Sequence, residues 1–213
     1  MSDERLAVLD PASTALLVID MQNAFVHLEG TLGISGVDLS AAPDATRQVS
    51  ILVDAAERIG MPVIWTQQVH LNPDRGRERK RLASHTSRRA RVAALADTWD
   101  AQLIDEFARH EGSGDVVVKH RFGAFYGTRL GPLLQMRGVG AVIVVGATAN
   151  ACVDTTIREA YMRDFDVVVP LDAVVGIQPE WKQVAAETWN HYFGAVTDTA
   201  SVVSWLRSSE GEQ

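Results

Sequence analysis

The sequence predicts an α/β fold, a three-layer arrangement in which a mainly parallel six-stranded sheet carries helices on both faces. Two observations lead there. Short β-branched runs alternate along the chain with longer segments of helical apolar spacing, and no repeat, heptad pattern, low-complexity tract or linker breaks that alternation. One core in one domain follows.

The elements can be justified in order. Ala15-Leu-Leu-Val-Ile-Asp20 is a buried strand closed by an acid, and Asp44 to Gly60 carries Val49, Leu52, Val53, Ala56 and Ile59 at helical spacing. Pro62-Val-Ile-Trp-Thr66 is the second strand. A long polar stretch follows, then a helix over Trp99 to His110, then the strand Asp115-Val-Val-Val-Lys119. Helices are expected over Thr128 to Arg137, Val153 to Arg163 and Glu180 to Tyr192. Between them lie the strands Ala141 to Val145 and Asp166 to Val169, with Ala195-Val-Thr197 as a short sixth.

Composition bounds the function without naming it. At 213 residues, 46% hydrophobic and 22% charged, the chain reads as a single domain over 1–213, with 1–12 and 208–213 as flexible ends. A lone cysteine excludes an internal disulfide framework and suits a reducing cytoplasm. The start lacks the layout of a signal peptide, and no apolar run approaches the about 18 residues that span a bilayer. A cytoplasmic protein with no membrane partner is expected. The formal charge of −7 argues against nucleic acid as a partner. Arg75 to Arg91 nevertheless holds eight Lys/Arg, and reads first as a solvated connection or a contact within a homo-oligomer, a dimer or tetramer, and after these as a lid binding a substrate carboxylate.

Cys152 follows the Ala141–Val145 strand by one tight turn and precedes Val153, Ile157 and Ala160 at helical spacing. That places it in a first helical turn, where unpaired N–H groups and the helix dipole favour thiolate. Open α/β sheets carry their sites at the carboxyl ends of the strands. Asp20 and Lys119 end strands as well. An acid, an amine and a thiol at one sheet edge make a nucleophilic centre, in which Asp20 accepts the thiol proton and Lys119 favours thiolate while fixing the carboxylate. Read singly, each has a plainer explanation: an acid capping a turn, an amine reaching water, a small buried thiol.

Three segments carry a resemblance. Asp20-Met-Gln-Asn-Ala-Phe25, Lys119-His-Arg-Phe-Gly-Ala-Phe-Tyr-Gly-Thr128 and Gly146-Ala-Thr-Ala-Asn-Ala-Cys-Val153 are similar, in order and spacing, to the signatures of the isochorismatase-like cysteine hydrolases, from about Ala15 to Leu206. The resemblance implies an Asp20–Lys119–Cys152 triad, a cis peptide between Ala147 and Thr148, and an oxyanion hole from the backbone N–H groups of Thr148 and Cys152. Isochorismatase itself lacks the cysteine, so Cys152 favours C–N hydrolysis. No Asp precedes His27, His70, His85 or His110 at the Asp-x-His spacing of zinc-containing nicotinamidases, so neither a metal nor any other cofactor is expected. Gly146-Ala-Thr-Ala is similar to the loop of N-carbamoylsarcosine amidase. Thr155 to Ala160 resembles biuret and triuret hydrolases, and Trp99 to Asp105 resembles ureidoacrylate amidohydrolase, while Ala149 stands where many relatives have Thr.

The expected activity is cysteine-dependent hydrolysis of a small amide, of N-carbamoyl or ureido type, through a thioester or thiocarbamate on Cys152. Alternatives are a maleamate, lactam or nicotinamide-like amide on the same triad, or a noncatalytic redox-sensing or binding protein. The last leaves Asp20 and Lys119 without a reason to converge. Phe25, Trp65, Phe125 and Tyr126 flank strand ends and are expected to form an aromatic wall against the substrate, with Gln178 donating to a carbonyl. Gly138-Val-Gly140 lacks the third glycine of a dinucleotide loop, and no Gly-x-Ser-x-Gly elbow occurs.

Overall fold

A computed structural model of the chain describes residues 4–71, 90–113 and 115–210. The bulk of the basic stretch, 75–89, lies outside the described residues. Seven strands form one parallel sheet: β1 (Thr14–Ile19), β2 (Val63–Gln68), β3 (Val116–Lys119), β4 (Ala141–Ala147), β5 (Asp166–Pro170), β6 (Val174–Val175) and β7 (Ala195–Thr197). The order is β3-β2-β1-β4-β5-β7, with β6 paired to the far end of β4. All six expected strands are present. The two-residue β6 is the addition, too short to leave a periodic signal.

Period-two alternation decides what each face buries. Leu16 and Val18 of β1 and Ile143 and Val145 of β4 point to one side, where they meet Val49, Leu52, Val53 and Ala56 of α3 (Ala42–Arg58) and Val202, Trp205 and Leu206 of α7 (Thr199–Glu210). Ala15, Leu17 and Ile19 of β1 and Val142 and Val144 of β4 point to the other. There they meet Leu130 and Leu134 of α4 (Leu130–Met136), Ile157 and Ala160 of α5 (Asp154–Tyr161), and Ala185, Ala186 and Trp189 of α6 (Pro179–Tyr192). The chain thus has the three expected layers. Burying each of these Leu, Ile or Val side chains contributes roughly 1.5–3 kcal/mol.

One expected helix is absent. Trp99 to His110 forms two 3-10 turns, Trp99–Ala101 and Asp105–His110, split by an extended stretch at Leu103 that pairs antiparallel with Gln22. The reason is non-local: Asn23 N donates to Gln102 O, and Ile104 N donates to Met21 O, so this backbone is held by the segment after β1. That segment contains two single-turn helices, α1 (Asn23–Val26) and α2 (Thr31–Ile34). Among the described residues, no helix is long and apolar enough to cross a membrane.

Candidate active site

The sheet brings Asp20, Lys119 and Cys152 together because their strands are neighbours. β1 lies between β2 and β4, and β3 flanks β2, with Ile19 opposite both Thr66 and Gly146, and Gln68 opposite Lys119. Asp20 leaves β1 at φ 48°, a left-handed conformation that Asp tolerates better than most residues. Thr66 fixes it there. Asp20 N donates to Thr66 Oγ1 at 3.1 Å, and the same hydroxyl donates to Asp20 Oδ1 at 2.6 Å.

Lys119 Nζ lies 2.6 Å from Asp20 Oδ2, and both side chains are fully buried at 0% exposure. Nζ also donates to Gln68 Oε1 and to the Arg121 carbonyl, each at 3.0 Å. Burial alone would lower the lysine, but the Asp20 charge, with a smaller contribution from Cys152, raises it above its ordinary value. Lys119 is therefore a fixed cation. Apart from this pair, Asp20 Oδ2 has no hydrogen-bond partner among the described residues, so one of its acceptor positions stays open.

Cys152 arrives from β4. Gly146 takes φ 111°, and a Cβ there would lie 2.1 Å from Ile19 O, so only glycine lets β4 pass β1 at this point. The Ala147–Thr148 peptide is cis. A π turn over Ala149–Val153 then carries the thiol into the start of α5, where Thr156 Oγ1 donates to Cys152 O at 2.7 Å. The thiol is 4% exposed and lies 3.4 Å from Gln68 Oε1. Its charge state reverses the sequence expectation. Burial pushes the Cys152 thiol well up, and the nearby Asp20 charge adds to that; the pull of Lys119 toward thiolate is too weak to compensate. These surroundings favour the thiol over the thiolate.

The thiol faces a cavity of about 260 Å³, bordered by Phe25, Gln68, His70, Thr148, Asn150 and Cys152 together with Leu32, Ala93, Phe122, Ala151, Ile177 and Trp181. Asp20 and Lys119 are not among its lining residues. Of the five expected substrate contacts, only Phe25 borders this space. Trp65 points to the opposite face of the sheet, its ring 5.0 Å from that of Phe107 and 4.4 Å from that of His110. Phe125 lies in the loop after β3 and packs away from the cavity, with the Phe165 ring at 5.7 Å and the Arg163 guanidinium over its own ring at 4.9 Å. Tyr126 is 66% exposed, and Gln178 is the N-cap residue of α6, its carbonyl taken by Lys182 N. Thr66, Gln68, His70, Phe122 and Trp181 were not anticipated. The strand-end rule finds the first two once β2 is extended through its polar end to Gln68. Among the described residues, no three His, Cys, Asp or Glu side chains are placed to hold a metal ion.

Comparison with known proteins agrees with this architecture. Residues 14–201 match the isochorismatase domain, and the chain belongs to that family of hydrolases. Ureidoacrylate amidohydrolase RutB of Methylobacterium radiotolerans is 34% identical over 211 residues, covering 93% of this chain and 81% of that protein. A cysteine hydrolase from Pseudomonas syringae pv. phaseolicola superposes with a TM-score of 0.76 at 25% identity, covering 94% of this chain and 95% of that one. N-carbamoylsarcosine amidase from Thermoplasma acidophilum superposes with a TM-score of 0.70 at 26% identity, covering 88% and 96%.

Proposed function

We propose that the protein is a cysteine-dependent amidohydrolase that cleaves a C–N bond of a small N-carbamoyl or ureido-type amide. The amidohydrolase class is supported by the family and by relatives so named. The observation that carries the mechanism is the fully buried Asp20–Lys119 pair packed behind a thiol that opens on a small cavity. A buried ion pair is costly to desolvate and is weak evidence for stability, so its position beside the only cysteine needs a chemical reason.

Asp20 supplies that reason as general base. When a substrate carbonyl carbon reaches Sγ, the thiol proton passes to Asp20 and the sulfur lone pair forms the S–C bond. The oxygen becomes an oxyanion held by the N–H groups of Thr148 and Cys152. Collapse breaks the C–N bond, and Asp20 returns the proton to the departing ammonia or amine. Lys119 keeps the carboxylate oriented throughout. Water, deprotonated by Asp20, then attacks the thioester, and the thiol is regenerated. An N-carbamoyl substrate passes through a thiocarbamate, and its products are the free amine, carbon dioxide and ammonia. A neutral resting thiol suits this sequence, since deprotonation is coupled to attack.

The test is a panel of small amides scored by ammonia release, run on the wild type and Cys152→Ala. Turnover is expected on carbamoyl or ureido members, and loss to background in the variant. Full activity in Cys152→Ala would sink the covalent mechanism. Turnover confined to maleamate, lactam or nicotinamide-like members would overturn the substrate class.

A further inference from the structure

One buried carboxamide touches both the thiol and the ammonium. Lys119 has only protons to give, so the Gln68 atom 3.0 Å from Nζ is the oxygen, Oε1. The Cys152 thiol donates to that same oxygen at 3.4 Å. The Gln68 NH₂ group therefore faces His70, where it lies 3.2 Å from Nε2, and it can only donate. His70 Nε2 must then present a lone pair. In that tautomer Nδ1 carries the proton and donates to the Ala93 carbonyl. The main chain of Gln68 is fixed as well. Its N–H donates to Gln22 Oε1 at 2.8 Å, and its carbonyl accepts from Gln22 Nε2 at 3.0 Å. Gln68 and His70 are 2% and 3% exposed, yet both border the cavity.

We infer that Gln68, oriented by His70, is a positioning residue that holds the Cys152 S–H and the Lys119 ammonium in place until substrate fills the cavity. The inference rests on the proposed role of Cys152 as nucleophile. An amide oxygen is a good acceptor for S–H and a poor neighbour for S⁻, because its partial negative charge opposes the thiolate. It keeps the resting sulfur protonated and leaves deprotonation to Asp20 at the moment of attack. His70 acts one step further out, fixing which end of the carboxamide faces the sulfur.

The experiment reads the thiol directly, without substrate. Gln68→Met removes the acceptor at nearly constant volume and leaves the Asp20–Lys119 pair beside the thiol. Alkylation of Cys152 by iodoacetamide at pH 7 should then rise about tenfold, the equivalent of one pKa unit. Gln68→Glu keeps the shape but places a negative charge at the same point, so the rate should fall by a similar factor. Opposite signs distinguish positioning from loosened packing, which would speed both. For His70, turnover is the readout: His70→Leu should lower kcat about tenfold with KM within about twofold, each tenfold step being one decade of transition-state stabilisation. His70→Gln, whose side-chain oxygen can again accept from Gln68 Nε2, should recover most of it. Thermal melting identifies any variant that does not fold; should Gln68→Met melt early, Gln68→Glu alone decides, and an unchanged or faster rate overturns the inference. So does movement of both Gln68 variants in one direction, or a folded His70→Gln as slow as His70→Leu. Because alkylation needs no amide, this result stands apart from the outcome of the substrate panel.

Discussion

Thr66 satisfies the one oxygen of Asp20 that Lys119 does not reach, through a 2.6 Å hydrogen bond inside a fully buried site. Thr66→Val keeps the volume and deletes the donor, leaving a buried carboxylate oxygen without its partner at a cost of roughly 1–3 kcal/mol. Because Asp20 is then free to rotate about its strained backbone, kcat should fall by about tenfold or more, a loss of about 1.4 kcal/mol. Thr66→Ser should restore most of it. Equal activity in Thr66→Val and the wild type would show that Asp20 is held by Lys119 alone. The reactive residues of this site were legible because Asp, Lys and Cys are rare at buried strand ends, whereas Thr66 and Gln68 look like ordinary polar residues approaching a loop. The thiol's charge state was not legible. A helix N-terminus and a cation suggested thiolate, but the depth of burial that outweighs them appears only when the layers are packed.

Among the elements, the segment Trp99 to His110 shows where periodicity misleads. Its apolar residues fit a helix by spacing, but their backbone partners lie in the turn after β1, and pairing across about eighty positions of sequence is invisible to a local window. What ties the two together is Asp100, 4% exposed. It accepts from Thr31 N at 3.0 Å, Thr31 Oγ1 at 2.7 Å, Ala94 N at 2.7 Å and Arg91 Nη2 at 2.8 Å, and so joins the segments that contribute Leu32 and Ala93 to the cavity wall. Burial alone would raise the Asp100 carboxyl, but the hydrogen bonds from Thr31, Ala94 and Arg91 outweigh it and hold the group below its ordinary value. A depressed carboxyl contributes stability above its unfolded pKa, near 3.9, and loses it as pH falls through the lower folded value. Asp100→Asn should therefore melt several degrees below the wild type at neutral pH, a loss of roughly 1–3 kcal/mol. The gap should narrow below about pH 4. A gap that stayed constant with pH would show that the loss comes from packing and not from the carboxylate's charge.

For the whole molecule, the alternation of strands and helices was enough to place three layers, since the central strands β1, β4 and β5 are apolar on both faces and must be covered twice. The exact crossing of β1 and β4 was not readable in that pattern, and it is where fold and site meet. These two strands share the longest register in the sheet, from Thr14 opposite Ala141 to Ile19 opposite Gly146, and their ends release Asp20 on one side and the Cys152 turn on the other. Gly146 permits the approach. Its φ of 111° disfavours any side chain, and a Cβ would lie 2.1 Å from Ile19 O and 2.7 Å from Ile19 N, both of them backbone atoms in a central strand that cannot swing aside. Gly146→Ala must therefore either separate the two central strands or rotate the turn that carries the thiol, with a destabilisation of about 3 kcal/mol or more. In a chain of this length that corresponds to a melting temperature lower by roughly 6–12 °C. Activity should fall further than the folded fraction, since any relaxation moves Cys152 relative to Asp20. Gly36→Ala is the control: its φ is 81° but a Cβ there meets nothing within 4 Å, so the same residue change costs conformational strain without collision. A Gly146→Ala protein that melts with the Gly36→Ala control and turns over at the wild-type rate would show that the central strands are not in the contact on which the site's geometry depends.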